Sequence, residues 1–471
     1  MARTRKWRLR WGAGITAVTT AAVLSAVAPP AQAFPEGRIL GAGEPGSVGG
    51  SYIVTLGAGT RASSPAGADL AEAYGARISH TYGTVLNGFA VRLDERRARR
   101  LAADPRVASV VQDTRVALDT VRTDTGRTAT VRTDTGGTGG ARKAGARKDA
   151  VRTDDRRTAE ARTAEARTAE ARTAGARTVA VRKDAVQAVR KDAVQKDPPS
   201  WGLDRIDQRD RPLDRRYAAP ASAGAGVTAY VIDTGVRVTH QDFGGRASYG
   251  WDFVDGDRAA RDGNGHGTHV AATLAGRRYG VAKKARVVAV RVLDDRGAGT
   301  TAQVIAGIDW VTRHARKPAV ANLSLGGYGN AQLDAAVRDS IASGVTYTVA
   351  AGNDGRPAAG YSPARVREAL TVGASDRTDT RAAFSNTGPA VDLFAPGVAI
   401  TSASYTGDRG KVARSGTSMA SPHVAGVAAL YLSGHPRAAP EQVAKALVKL
   451  AVPGKLSGVG LGSPNRLLNV G

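Results

Sequence analysis

Apolar residues fall along this chain in three different rhythms. From residue 51 to 113 they come in short runs. Tyr52-Ile-Val-Thr-Leu56 predicts a strand, and Ala68 to Tyr74 a short helix. Arg77 to Leu93 holds two β-rich runs broken by turn signals at Gly83 and at Asn87-Gly88. Asp94 caps a helix expected to run to about Ala103, and Val107 to Val111 closes with a strand. The order β-α-β-β-α-β is the split βαβ plan.

The rhythm then stops. Residues 119–197 contain no Leu, Ile, Met, Phe, Trp or Tyr, and they repeat: VRTDTG begins at 121 and 131, ARTAE or its variant at 161, 166 and 171, and VRKDAVQ at 181 and 189. A five-residue period advances about 140° per unit around a helix, so no apolar stripe forms to be buried. This stretch is expected to be a disordered, low-complexity tether.

Residues 198–471 carry the main core. Val227 to Ile232, Val287 to Val292, Val320 to Leu325 and Val345 to Ala350 are short, β-branched runs bounded by turn signals. Between and after them lie helix-length patterns at Thr301 to Thr312, Gln332 to Ser343 and Ser418 to Leu432. Strands alternating with helices predict an α/β domain with a doubly wound, mainly parallel sheet flanked by helices.

Composition narrows this picture. The absence of cysteine excludes disulfides, thiol catalysis, zinc–thiolate sites and iron–sulfur clusters. The net charge of +25 invites a nucleic-acid partner, but it is spread over the regions: +7 in residues 1–118, +7 in 119–197 and +11 beyond. No basic patch with interleaved aromatics concentrates it, so nucleic acid is not the expected partner. Residues 1–10 carry five cations, an apolar run reaches about Ala28, and Ala31-Gln32-Ala33 follows Pro29-Pro30. That is a secretory signal with cleavage after Ala33, which implies secretion, and no later apolar run is long enough for a membrane span.

Candidate chemistry gathers in three segments. Tyr230-Val-Ile-Asp233-Thr-Gly235 puts an acid directly after an apolar strand, where open α/β sheets place their sites. Asp-Thr-Gly also fits an aspartic-protease motif. Its further copies at Asp124 and Asp134 lie in the tether, which cannot hold two carboxyls in one buried site. Asp262-Gly-Asn-Gly-His266-Gly-Thr-His269 delivers His266 from a glycine-rich loop to a helix start. His269 lies on the same face at i+3, but no third ligand accompanies the pair as a metal site would require. Ser415-Gly-Thr-Ser418-Met-Ala-Ser-Pro422-His423 sets Ser418 at a helix start, where N–H groups favour negative charge. Each signal is weak alone. In the chain order Asp…His…Ser they form a candidate nucleophile–base–orienter set.

These segments resemble the signatures of subtilisin-like serine proteases, in particular the proteinase K-like branch, and the similarity covers nearly all of 198–471. Residues 51–113 resemble the inhibitory propeptide of that family. The resemblance implies a secreted serine endopeptidase, made as a zymogen and matured by autoprocessing, with Ser418 as nucleophile, His266 as base and Asp233 as its orienter. It implies Asn353 of the AAGN segment as an oxyanion donor. Gly297-Ala298-Gly299 and Ser324-Leu325-Gly326-Gly327 would be the strands flanking a bound peptide, with Ala350, Ala351 and Gly352 completing an uncharged pocket for apolar or aromatic side chains. No cofactor is implied for the chemistry. A structural calcium is, on Asp392 with carbonyls near Arg367 and Ala369. The expected partners are protein and peptide substrates and the chain's own propeptide, on a monomer. Two other readings stay open: an acyl transferase or narrow processing protease on the same fold, and a polyanion-binding surface protein acting through the basic tether. The expected division is 1–33 signal, 34–118 propeptide domain, 119–197 tether and 198–471 catalytic domain.

Overall fold

The computed structural model describes residues 36–118 and 193–471. The expected signal segment and almost all of the tether lie outside them.

Strands β1 (Ile39–Leu40), β2 (Ser47–Leu56), β3 (Arg77–Tyr82), β4 (Gly88–Arg92) and β5 (Val107–Ala117), with helices α1 (Pro65–Ala73) and α2 (Glu95–Ala102), make the N-terminal unit. Its sheet runs β1-β5-β2-β4-β3, the split βαβ order with one short strand added. Ser64 and Asp94 cap the two helices through their side chains, accepting from Gly67 N and Arg97 N. Strand β5 runs on to Ala117, six residues beyond the expected Val111. The extension is paired outside its own sheet: β11 (Ala298–Thr300) joins it antiparallel, Gly299 opposite Val116.

Past the tether come β6 (Ala193–Lys196), α3 (Trp201–Ile206), β7 (Arg216–Ala219), β8 (Thr228–Asp233), β9 (Ala247–Asp252), α4 (His266–Ala275) and β10 (Arg286–Arg291). After β11 follow α5 (Thr301–His314), β12 (Ala319–Leu323), β13 (Gly327–Tyr328), α6 (Ala331–Ala342), β14 (Thr346–Ala350), β15 (Tyr361–Ser362) and β16 (Leu370–Ser375). The chain ends with β17 (Leu393–Pro396), β18 (Ile400–Ala403), β19 (Lys411–Arg414), α7 (Thr417–Gly434), α8 (Pro440–Leu450), β20 (Val452–Pro453) and β21 (Arg466–Leu467). The large sheet has the order β20-β21-β17-β16-β14-β12-β8-β10-β9. All its pairings are parallel except β20 with β21. Ordered pairing begins at β6, five residues before the Pro198-Pro199 boundary, because Ala193 to Lys196 add an edge strand to β7.

Both faces of the sheet are buried, and side chains alternate between them. Ala229 and Val231 of β8 join α4, α7 and α8 in one core. Tyr230 and Ile232 join α5 and α6 in the other. The second core does not stop at the helices. It continues through Ile53, Tyr82, Val85, Ala90 and Val116 of the N-terminal unit, all buried. Fully burying one such large side chain stabilises by about 1.5–3 kcal/mol, so this seam is a substantial interface. Among the described residues, no helix is long and apolar enough to cross a membrane.

Candidate active site

Asp233 ends β8 at the carboxyl edge of the sheet and is buried. Its Oδ1 accepts from the Thr234 N–H at 2.7 Å and meets His266 Nδ1 at 2.8 Å. His266 is the first residue of α4, so its backbone is fixed by the helix while its ring faces the sheet edge. The next position tolerates no side chain: a Cβ on Gly267 would lie 2.1 Å from the Gly235 carbonyl oxygen. His266 Nε2 is buried and has no hydrogen-bond partner among the described residues.

Ser418 sits in the first turn of α7, which begins one residue earlier, at Thr417. Its hydroxyl donates to the Ser324 carbonyl at 3.1 Å, and the Ser324 hydroxyl donates back to the Ser418 carbonyl at 2.9 Å. The expected Asp–His contact is therefore formed, whereas the serine hydroxyl takes a carbonyl acceptor instead of the imidazole.

Asn353 follows β14, and its Oδ1 accepts from the Thr417 N–H at 2.9 Å and the Thr417 hydroxyl at 3.0 Å. With its oxygen taken by Thr417, the amide can offer only N–H donors to a ligand. Thr417 was not singled out by sequence reasoning, because its role depends on a contact 64 residues away. Gly352 has φ +101°, and a Cβ there would lie 2.2 Å from Asn386 Nδ2, so glycine is required to seat Asn353.

The two glycine-rich segments flank the end of β5. The Ala117 N–H donates to the Gly326 carbonyl at 3.2 Å, the Gly326 N–H donates back at 3.3 Å, and the Leu118 N–H donates to the Gly297 carbonyl at 2.9 Å. Gly297, Ala298, Gly299, Ser324, Leu325, Gly326 and Gly327 are thus gathered around one extended strand, a β-augmentation geometry. Strand β12 stops at Leu323, short of the expected Leu325, because the following residues turn to face that strand. Ala350 and Ala351 are buried, and neither they nor Gly352 line the cavity of about 520 Å³ formed by Tyr328, Asn353, Asp354, Gly355, Arg356, Tyr361, Ala383 and Phe384. Tyr328 and Tyr361 stack at 6.2 Å between centroids. Burial, then the hydrogen bond to Asp354, pushes the Tyr361 hydroxyl up to about 12. The sequence reading missed this aromatic wall, whose two tyrosines meet only through the β13–β15 pairing.

The second histidine of the motif does something else. His269 Nε2 contacts the Ile400 carbonyl at 2.8 Å, and burial, with the Arg414 charge, pushes the ring down to about 3. It is a neutral core residue. Asp392 lies just before β17 and accepts the Thr371 N–H at 2.8 Å, while burial raises its carboxyl to about 6. Arg367 and Ala369 lie in the turn leading into β16, which pairs with β17. Among the described residues, no group of three or more His, Cys, Asp or Glu could hold a metal ion.

Two families match separate stretches of the chain. Residues 51–119 match the peptidase inhibitor I9 family. The chain is 56% identical over 271 residues to an extracellular serine proteinase of Thermus sp. (strain Rt41A), covering 58% of this chain and 66% of the relative. It is 55% identical over 268 residues to the alkaline serine exoprotease A of Vibrio alginolyticus, covering 57% of this chain and 49% of the relative. The chain thus spans 49% to 66% of the length of these relatives. The crystal structure of a cold adapted subtilisin-like serine proteinase superposes with a TM-score of 0.56 at 54% identity, over 57% of this chain and 97% of that one. Residues 224–466, which carry Asp233, His266, Asn353 and Ser418, match the subtilase family over more than half the chain, and to that family the chain belongs.

Proposed function

We propose that this protein is a secreted serine endopeptidase made as a zymogen. The observation that carries the reading is the end of β5. A strand of the inhibitor-like unit lies antiparallel between Ala298–Thr300 and Gly326, two residues from Ser324, whose carbonyl accepts the Ser418 hydroxyl. Backbone pairing of this kind selects polypeptide as the substrate, independent of sequence.

In the mechanism that follows, Ser418 Oγ attacks the carbonyl carbon of the bound peptide as its proton passes to His266 Nε2. The Asp233 carboxylate holds the Nδ1–H and stabilises the imidazolium. The tetrahedral oxyanion takes hydrogen bonds from the Asn353 side-chain amide and the Ser418 N–H, a pair in which one donor is worth about 10²–10³ in rate. His266 then returns the proton to the leaving amine, and water releases the acyl group by the same steps reversed. The uncharged segments Ser324–Gly327 and Ala350–Gly352 support a preference for apolar or aromatic side chains before the scissile bond.

Asp392 fits calcium in kind. It is a half-buried carboxylate with a raised pKa that accepts the Thr371 N–H, and the main-chain carbonyls of Arg367 and Ala369, in the turn just before Thr371, would be its companion oxygen ligands to a hard cation. When bound, the ion supplies charge balance and a clamp between the β16 and β17 ends; no chemical step uses it.

The test is Ser418→Ala in the full chain, expressed in a protease-deficient host. The wild type should hydrolyse casein and lose residues 36–118, while the variant should fold, stay unprocessed and be inert. A Ser418→Ala protein that still matures in that host identifies a different nucleophile.

A further inference from the structure

We infer that Asp262 is the positioning residue of the catalytic histidine; the inference rests on the protease reading of the Asp233–His266–Ser418 site. Asp262 opens the motif that carries His266, yet touches neither imidazole nor nucleophile in the scheme above. Its carboxylate is instead a hub for five donors. Oδ1 accepts from the Thr234 hydroxyl at 2.9 Å, the Asn264 N–H at 3.0 Å and the Gly265 N–H at 2.7 Å. Oδ2 accepts from the Thr268 N–H at 2.9 Å and from the Thr268 hydroxyl.

Those donors come from three separate pieces of the site. Thr234 is the residue after Asp233 and gives its own N–H to the Asp233 carboxylate. Gly265 precedes His266. Thr268 lies in the first turn of α4, and its hydroxyl accepts the Arg237 N–H at 2.9 Å. Thr234 Oγ1 completes the ring by accepting the N–H of Gly267, the residue after His266, at 3.0 Å. The main chain is therefore pinned on both sides of the imidazole, and the same carboxylate holds the strand end that carries Asp233. The Asp233–His266 contact is short because one anion fixes both of its supports. Hydrogen bonds to an ionised acceptor are the stronger kind, and an anion at the start of α4 also meets the positive end of the helix dipole.

The consequence concerns geometry in the chemical step more than peptide binding. The peptide-binding segments Gly297–Gly299 and Ser324–Gly327 make none of these contacts, so weakening the hub should lower kcat and leave KM near its wild-type value. Misplacing a reacting group by about 1 Å costs about 10²-fold in rate. Asp262→Asn keeps the shape and one acceptor but turns an NH₂ towards Thr268, so a fall of about 10- to 100-fold in kcat is expected.

The experiment compares active-site-titrated wild type, Asp262→Asn, Thr268→Val and Asp376→Asn with a peptide substrate. Thr268→Val removes the hydroxyl arm of the hub together with the acceptor of the Arg237 N–H, and serves if Asp262→Asn does not fold. Asp376 is also a carboxylate holding its own turn, through the Thr378 and Thr380 N–H groups, but lies outside the site. The expected result is a lower kcat with KM within about threefold for the two hub variants, and unchanged kcat for Asp376→Asn. Proton NMR should show the low-field His266 Nδ1–H signal shifted or broadened in the hub variants alone. Wild-type kcat and an unmoved signal in both hub variants, or a change confined to KM, would overturn the inference. An inert wild type would instead overturn the protease reading, so the two failures are distinct.

Discussion

The inhibitor-like unit is gripped at one point by a catalytic-domain carboxylate, and the strength of that grip follows from the structure. Asp309, in the middle of α5 and 1% exposed, accepts three consecutive N–H groups with Oδ1: Gly83 at 3.2 Å, Thr84 at 2.8 Å and Val85 at 3.1 Å. Val85 is buried, so Asp309→Ala would strand its N–H at a cost of about 1–3 kcal/mol. Gly83 and Thr84 are exposed and would turn to water, losing roughly 0.5–1 kcal/mol each. The ion pair of Asp309 with Arg313, whose side chain is 48% exposed, contributes little. The total is about 2–5 kcal/mol, or roughly 30- to 5,000-fold in the inhibition constant. The assay adds a polypeptide of residues 36–118 to the mature enzyme and measures slow-binding inhibition. Folding of the inhibitor on binding is common to both enzymes and cancels in the ratio. Asp309→Asn keeps an acceptor and should weaken inhibition by only about tenfold. Because Asp309 faces the inhibitor and not the cleft, kcat/KM for a small peptide should stay the same. Inhibition constants within threefold of wild type, or a parallel loss of kcat/KM, would refute the reasoning.

Two further expectations concern stability and oxidation. Asp392 has a folded pKa raised to about 6, so its ionisation disfavours the native state: without calcium, stability should fall as pH rises from about 4 through 6. A bound cation reverses that term, so the calcium-dependent gain in melting temperature of the inhibited enzyme should grow over the same interval; a gain independent of pH, or none, counts against the site. Met419 adjoins Ser418 and is 2% exposed, so a sulfoxide there would put a polar oxygen into a packed wall. Mild peroxide should depress activity in the wild type and spare Met419→Leu, and equal sensitivity would dismiss the idea.

What the sequence made legible was whatever is local. Asp233, His266 and Ser418 could be found because each sits at a junction that a few contiguous residues specify. The strands β8, β10, β12 and β14 fell within two residues of their expected ends because β-branched runs buried on both faces leave little choice. What stayed hidden depends on partners far away in the chain. Thr417 meets Asn353 across 64 residues, and Asp309 meets the Gly83–Val85 turn across more than 220. Strand β5 looked finished at Val111 because the residues after it, Gln112-Asp-Thr-Arg115, are polar. They remain strand because Asp113 Oδ1 accepts the Ala302 N–H at the start of α5 and Thr114 bonds Thr301. The polarity that argued for a loop is the chemistry of an interface.

The same logic predicts where maturation would end. The Pro198-Pro199 pair reads as a boundary, and trimming to it would leave a chain beginning near Ser200. The structure argues for an earlier stop. Ala193 to Lys196 pair with Ala219 to Arg216, Gln195 Nε2 donates to the Arg278 carbonyl at 3.0 Å, and the Asp197 N–H donates to the Arg215 carbonyl at 2.8 Å. Asp197 also pairs with Arg215 at 2.6 Å, although both are exposed and that contact adds little. A protease must draw several residues into an extended, unpaired conformation before it can cut, and a segment already spent in a ladder resists this. The repeats before it are rich in Arg and Lys. Trimming should therefore proceed through the tether and halt at or upstream of Ala193. Intact-mass measurement of the secreted protein decides the matter. A mature chain that begins between Gln195 and Trp201 would mean that β6 opens readily and that its pairing does not protect it.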